Sequence, residues 1–134
     1  IYLKGFEIAI KEAKPLAVMT SYNKVNGVWS HYHYELATEI LRNEWGYDGL
    51  VITDWWMQEG ESREFPNLRN DAVRVRAQVD VLMPGVIGEE GDLSARTLVP
   101  SLRDPDGVTR GEAQRCALNV IRFIERVMHA TGKA

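Results

Sequence analysis

The sequence predicts an α/β fold of about three parallel strands with flanking helices. Three short apolar runs are separated by segments in which apolar residues recur at helical spacing. The order helix, strand, helix, strand, helix, strand favours parallel strands, because each connection crosses back over the sheet. A chain of 134 residues forms one domain at most, and it is about half as long as a (β/α)8 barrel of roughly 250 residues.

The three predicted strands are short runs of β-branched and aliphatic residues, expected to be buried. They span residues 16–20, 50–53 and 79–83. The second opens after a glycine and stops at a charge, as a strand buried on both faces does. Polar, turn-forming residues follow the first strand at 21–27, and residues 58–70 are predicted to form a long loop over the strand ends. Loops of that length in compact domains are often functional.

Three predicted helices, at residues 2–13, 34–44 and 110–129, rest on a 3.6-residue spacing of apolar side chains. Shorter helices are also predicted at 70–78 and at 94–102, the latter interrupted by Pro100. The helix at 110–129 is the clearest, because Thr109 and Glu112 have the spacing of a capping box. Its apolar stripe is expected to face the core and comprises Ala113, Cys116, Ala117, Val120, Ile121, Ile124 and Met128.

Composition and charge exclude several classes of protein. A net charge of -3 gives no indication of nucleic acid or an anionic membrane as partner. No apolar run approaches the ~20 residues of a membrane span. A single cysteine excludes an intrachain disulfide. The chain opens at Ile1 without a methionine, which we interpret as a piece of a longer protein, so its localisation is left unassigned, with cytoplasmic as the default.

Asp54 is the first candidate site residue, because it stands at the C-terminal end of the second predicted strand. Ligand sites in parallel α/β folds gather where strands end and loops begin. It could serve as nucleophile, general base or metal ligand, or it could only cap a turn. Tyr22, after the preceding strand, is placed to donate a hydrogen bond to it or to pack in the core. Trp55 and Trp56 could face a sugar ring or fill the core.

Other residues carry weaker signals. His31 and His33 have an H-x-H spacing but no evident third ligand. Cys116 lies on the last helix, where core packing is the simpler role. A glutamate of the long loop could be an acid/base partner of Asp54, or all of them could be solvated; these are Glu59, Glu61 and Glu64. We predict no metal and no cofactor, and no glycine-rich nucleotide motif or G-x-S-x-G occurs.

Four segments in order resemble the glycoside hydrolase family 3 β-glucosidases. They are AVMTSYNKVNG (17–27), LRNEWGYDG (41–49), VITDW (51–55) and DVLMPG (80–85). The resemblance implies that residues 1–134 are a single fragment of that family's catalytic domain, a (β/α)8 barrel of TIM type, with its last three strands. It also implies a β-linked glucoside as substrate, hydrolysed with retention of configuration.

The same resemblance assigns roles to three residues. Asp54 matches the nucleophile, Tyr22 matches a tyrosine beside it, and Trp55 matches a tryptophan that walls the sugar subsite. No residue here matches the family's acid/base group or its lysine-histidine motif. We therefore expect the fragment to have weak or no activity. Its open sheet edges and uncovered barrel face predict self-association. The alternative is a non-catalytic sugar-binding or assembly module.

Overall fold

A three-stranded parallel sheet organises the chain. The computed structural model describes residues 2–55, 71–83, 95–105 and 107–133. Its strands are β1 (Ala17–Met19), β2 (Lys24–Val25), β3 (Val28–Trp29), β4 (Leu50–Trp55) and β5 (Val81–Met83). The sheet order is β1-β4-β5, and β4 pairs in parallel with both neighbours. The predicted α/β class with three parallel strands is thus confirmed, and β4 carries Asp54 at the centre of the sheet.

Helices flank the sheet at the positions that the sequence predicted. They are α1 (Lys4–Ile8, continued by a π-helical turn over Ala9–Ala13), α2 (Glu35–Glu44), α3 (Asp71–Arg76), α4 (Ala95–Ser101) and α5 (Arg110–Ala130). Helix α2 is of the π type, and its last turn closes with a 3.0 Å bond from the Trp45 amide to the Ile40 carbonyl. Helix α4 contains Pro100 and ends one residue later. None of these helices has the length and hydropathy to cross a membrane.

Two apolar clusters form the core of the described part of the chain. The first contains Ile10, Ala37, Leu41, Tyr47, Val51 and Val79. The second contains Val28, Tyr32, Val73, Val75, Val108 and Cys116. Strand β4 contributes Val51 to the first cluster, and helix α5 contributes Cys116 to the second. Burial of these apolar side chains stabilises the packing of both the sheet and α5.

A buried ion pair at the entry into β5 links α2, β4 and α5. Asp80, whose side chain is fully buried, accepts from Arg42 Nη2 at 2.7 Å and from the Val51 amide at 2.9 Å. Its other carboxylate oxygen accepts from Asn119 Nδ2 of α5 at 2.8 Å. Arg42, on α2, also donates to the backbone carbonyl of Gly49 at 3.1 Å. The paired charges fix α2, α5 and the entry into β5 against β4.

A short hairpin lies between β1 and α2, where the sequence predicts only turns. Strands β2 and β3 pair antiparallel, and the two residues between them, Asn26 and Gly27, have φ values of 51° and 85°. Positive φ at both positions is the condition for a type I′ turn, which asparagine followed by glycine favours. The Asn26–Gly27 pair was therefore the available sequence signal for this hairpin.

Burial of β1 differs from the prediction. Its residues are exposed, half-buried and exposed in turn, and Met19 is 52% exposed. The expectation of a buried strand is wrong here, because among the described residues β1 is an edge strand with β4 as its one neighbour. Residues 16–20 are apolar enough to be buried, but the described residues leave much of their surface exposed to solvent.

The predicted stripe of α5 is also only partly buried. Cys116 and Asn119 are buried, and Phe123 is half-buried, along the line that contacts α3 and β4. Four residues of the predicted stripe are instead exposed, namely Ala117, Ile121, Ile124 and Met128. The helix carries apolar side chains on two adjacent faces, and only one of them meets the described part of the chain.

Candidate active site

The C-terminal ends of β1 and β4 bring Tyr22, Asp54 and Trp55 together. The strands run parallel, so both ends meet at one edge of the sheet. Their pairing continues one residue past β1, where the Thr20 amide donates to the Ile52 carbonyl at 2.9 Å. Two residues later the Tyr22 hydroxyl donates to the backbone carbonyl of Trp55. The three residues singled out from sequence are therefore spatial neighbours.

Hydrogen bonds within the turn after β1 support Tyr22. The Ser21 hydroxyl donates to Asn23 Oδ1 at 2.5 Å, and the Ser30 hydroxyl donates to the Asn23 carbonyl at 2.8 Å. The Ser30 amide reaches the same carbonyl at 3.1 Å. These bonds tie the turn to the start of the segment after β3, so the hairpin holds Tyr22 over the end of β4.

Asp54 is half-buried, and a backbone amide of its own strand donates to its carboxylate. Its Oδ1 accepts from the Trp55 amide at 2.7 Å. The pKa of Tyr22 is raised above its ordinary value, first because the phenol is partly desolvated and then because the Asp54 carboxylate lies beside it as a charge and a hydrogen-bond acceptor. The phenol therefore remains protonated at neutral pH, and its hydroxyl donates to the Trp55 carbonyl.

The site remains open to solvent in the described part of the chain. The exposed fractions of the Tyr22 and Trp55 side chains are 51% and 37%. The exposed phenol of Tyr22 and the Asp54 carboxylate therefore lie at an open edge of the sheet, and the partly exposed Trp55 is the next residue of β4.

Thr53 was not singled out from sequence, yet it is one of the most enclosed residues at this edge. It is 0% exposed, and its Oγ1 accepts from the Met83 amide of β5 at 2.8 Å. The β4–β5 register changes here, since Ile52 is opposite Val81 but Trp55 is opposite Met83. From one paired position to the next, β4 advances by three residues while β5 advances by two. Asp54 is one of the two β4 residues between these paired positions.

His31 and His33 are both buried, and His33 forms a hydrogen bond at the start of α2. His31 is 1% exposed and His33 is 3% exposed. His33 Nδ1 accepts from the Leu36 amide at 3.3 Å, at the start of α2. No group of three or more His, Cys, Asp or Glu side chains suited to a metal ion occurs in the described ranges. His33 Nδ1 therefore accepts a hydrogen bond that helps to fix the N-terminus of α2.

Cys116 behaves as a core residue. Its thiol is 6% exposed and faces the carbonyls of Val75 and Val79 at 3.7 and 3.8 Å. Burial, followed by the nearby Asp80 carboxylate, raises the pKa of the thiol to about 12. A thiol that stays protonated is a poor nucleophile.

Some candidates lie outside the described residues. They are Trp56, Glu59, Glu61 and Glu64, together with the predicted loop over 58–70. Their relation to Asp54 stays a prediction of the sequence.

Residues 1–87 match the family model described as the glycosyl hydrolase family 3 N-terminal domain. A β-glucosidase of Ruminococcus albus is 44% identical over 92% of this chain, and one of Rhizobium radiobacter is 36% identical over 95%. This chain spans only 13% and 14% of those proteins.

Solved structures agree with this match. The β-glucosidase of Paenibacillus barengoltzii is 44% identical, has a TM-score of 0.74 and aligns with 92% of this chain and 13% of its own. β-Glucosidase 3B of Thermotoga neapolitana, solved in complex with glucose, is 29% identical with a TM-score of 0.75, over 91% of this chain and 16% of its own. The partial barrel predicted from sequence is thus confirmed as the fold class, and the chain belongs to glycoside hydrolase family 3.

Proposed function

We propose that this chain is one segment of the barrel domain of a β-glycosidase that hydrolyses terminal β-linked glycosides with retention of configuration. Asp54 is the nucleophile in this proposal. The observation that carries it is the convergence of Asp54, Tyr22 and Trp55 at one strand edge, in a chain whose relatives are β-glucosidases. The substrate is a β-glucoside-type carbohydrate, and the activity belongs to the longer parent.

The chemistry follows from a carboxylate held at a strand end. An Asp54 oxygen attacks the anomeric carbon and forms a glycosyl ester, while the bond from that carbon to the leaving oxygen breaks and the oxygen takes a proton from a second carboxyl group. Water then attacks the anomeric carbon, loses a proton to that same group and releases the Asp54 carboxylate. In retaining glycosidases the two carboxyl groups lie about 5 to 5.5 Å apart.

Tyr22 and Trp55 have supporting roles. A phenol that stays protonated beside Asp54 stabilises the carboxylate in the free enzyme and again when the ester breaks. The Trp55 amide donates to Asp54 Oδ1, which fixes one carboxylate oxygen and leaves the other for attack. The Trp55 indole, partly exposed beside it, is the wall for the apolar face of the sugar.

The chain alone is expected to have little or no turnover on an aryl β-glucoside. Residues 1–87 match only the family's N-terminal domain model, and the chain is about one eighth of its curated relatives' length. A carboxylate without acid assistance loses the part of the rate that proton transfer supplies, typically about 10² to 10⁴-fold.

Covalent trapping tests the nucleophile directly. The reagent is a 2-deoxy-2-fluoro-β-glucoside with a dinitrophenyl leaving group, which needs no acid to depart and whose fluorine slows hydrolysis of the ester. We expect one fluoroglucosyl group on the peptide that contains Asp54, and none in the Asp54→Asn variant. An adduct on a different carboxylate, or no adduct on the unchanged chain, would count against Asp54 as nucleophile in this chain.

A non-catalytic sugar-binding module is the second candidate. The open Tyr22–Trp55 surface favours it, because aromatic faces bind sugars without any reacting carboxylate. Saturable binding of glucose that persists in Asp54→Asn, with no covalent adduct in the unchanged chain, would favour this candidate over the hydrolase.

A further inference from the structure

The pairing of β4 with β5 is irregular at the end of β4, where Asp54 lies. Between Ile52 and Trp55, β4 has one residue more than the facing stretch of β5. An extra residue in one strand is a β-bulge, which bends the strand and re-aims the side chains within it. Asp54 is one of the two residues between the registered positions, and Thr53 is the other.

A side-chain hydrogen bond crosses the irregular stretch. Met83 lies opposite Trp55, at the registered position that closes this stretch. Its amide donates to Thr53 Oγ1 at 2.8 Å, so the Thr53 side chain links β5 to the irregular part of β4. Thr53 is 0% exposed, and an unpaired amide there would carry a desolvation cost.

From this geometry we propose that Thr53 is a positioning residue, whose hydroxyl holds the β-bulge that aims the Asp54 carboxylate at Tyr22. The inference rests on the proposed function for its relevance to catalysis, but not for its geometry. Position 53 requires a β-branched shape to fill the buried space and an oxygen to accept from Met83. Threonine supplies both, whereas valine supplies only the shape.

The Tyr22 phenol reports on the position of Asp54. Its pKa is raised by partial desolvation and by the adjacent Asp54 carboxylate. Movement of Asp54 away from Tyr22 would therefore lower that pKa while leaving the desolvation effect in place. A general loss of stability in a folded variant would not shift the titration of one tyrosine, so the readout separates positioning from a merely structural role.

The test compares Thr53→Val with Thr53→Ser in the full chain. Tyrosine ring carbons are labelled with ¹³C, and the Tyr22 signal is assigned with Tyr22→Phe and titrated by NMR. We expect the Tyr22 pKa to fall in Thr53→Val by a large part of the fall seen in Asp54→Asn, and to be unchanged in Thr53→Ser. Amide exchange at Met83 should be about tenfold faster in the valine variant only.

Two results would overturn the proposal. One is a folded Thr53→Val chain that keeps both the Tyr22 pKa and the slow exchange of Met83. The other, which does not depend on any variant folding, is a Met83 amide in the unchanged chain that exchanges as fast as an exposed amide. Neither readout uses substrate, so failure of covalent trapping bears on the proposed function alone.

Discussion

At the scale of single residues, the site depends on one carboxylate and the donors around it. Asp54 accepts from the Trp55 amide and lies beside the Tyr22 phenol, whose pKa it helps to raise. The Tyr22 hydroxyl in turn donates to the Trp55 carbonyl. These contacts couple the charge of Asp54 to the protonation of Tyr22.

Removal of that charge gives a residue-scale prediction. In Asp54→Asn the Tyr22 pKa should fall, because a nearby negative charge disfavours the phenolate. It should stay above its ordinary value, since partial desolvation remains. NMR titration of the labelled tyrosine measures the change. The control is Asp48→Asn, which lies before the other end of β4 and should leave Tyr22 unchanged; an unaltered Tyr22 pKa in Asp54→Asn would refute the coupling.

At the scale of elements, buried polar contacts decide how helices and strands are fixed together. Asp80 is bonded at once to a helix side chain, to the backbone of β4 and to α5. The start of α5 is fixed by a capping box in which the Glu112 amide donates to Thr109 Oγ1 at 3.2 Å and the Thr109 amide donates to Glu112 Oε2 at 2.7 Å. Arg76 reaches Glu112 from α3 at 2.8 Å.

The Asp80 network predicts a large loss of stability in Asp80→Asn. The change leaves the Arg42 guanidinium buried without its counter-charge, and breaking such a pair costs about 3 kcal/mol or more. Urea unfolding followed by tryptophan fluorescence measures it. Asp48→Asn is the matched control, because Asp48 pairs with Arg126 at the surface and such pairs contribute less than about 1 kcal/mol. Equal effects in the two variants would contradict this interpretation.

The cap of α5 predicts a pH dependence. The pKa of Glu112 is lowered: burial acts to raise it, but hydrogen bonds from Arg76 and Thr109 outweigh burial. The stabilisation is therefore present above the ordinary glutamate pKa and is lost as pH falls through the lowered folded value.

Thermal unfolding of the unchanged chain and of Glu112→Gln, between neutral pH and pH 3, checks this expectation. The stability difference between the two should shrink as pH falls. Thr109→Ser should retain the cap, whereas Thr109→Ala should cost about 1 kcal/mol. A stability difference that is constant with pH would show that the charge of Glu112 is not what stabilises this helix start.

At the scale of the whole molecule, the chain exposes apolar surface on both β1 and α5. Met19 is 52% exposed, and Ile121, Ile124 and Met128 are 52%, 48% and 41% exposed. The chain is about one eighth of the length of its curated relatives. We propose that these surfaces drive self-association of the isolated chain, because edge strands and apolar patches of this kind pair when they are left uncovered.

The exposed face of α5 gives a prediction for assembly. Multi-angle light scattering at micromolar concentration should show species larger than the monomer. Ile121→Glu should shift the population toward monomer, because it places a charge in the centre of the apolar face. Gln114→Glu is the control, since it adds the same charge at an exposed position on the same helix. A monomeric unchanged chain, or equal assembly of the two variants, would argue against this contact.

The sequence by itself determined the order of the five helices and of the three parallel strands, without the β2–β3 hairpin, and the placement of the candidate residues at strand ends. Strands and helices are marked by local spacing, which needs no knowledge of distant residues. The capping box of Thr109 and Glu112 is equally local. Parallel pairing then follows from the alternation of elements, and it puts the ends of β1 and β4 at one edge. Asp54, Tyr22 and Trp55 are therefore predicted from the sequence to lie close together.

Only the tertiary structure decided which apolar faces are covered and which polar groups meet. Apolar spacing does not tell whether a neighbour is present, so β1 and the α5 stripe were expected to be buried, whereas two of the three β1 residues and four of the seven stripe residues are exposed. The ion pair of Arg42 with Asp80 joins residues 38 positions apart, and the bond between Thr53 and Met83 joins residues 30 apart. Such contacts depend on the packing of several elements at once, which no local pattern encodes.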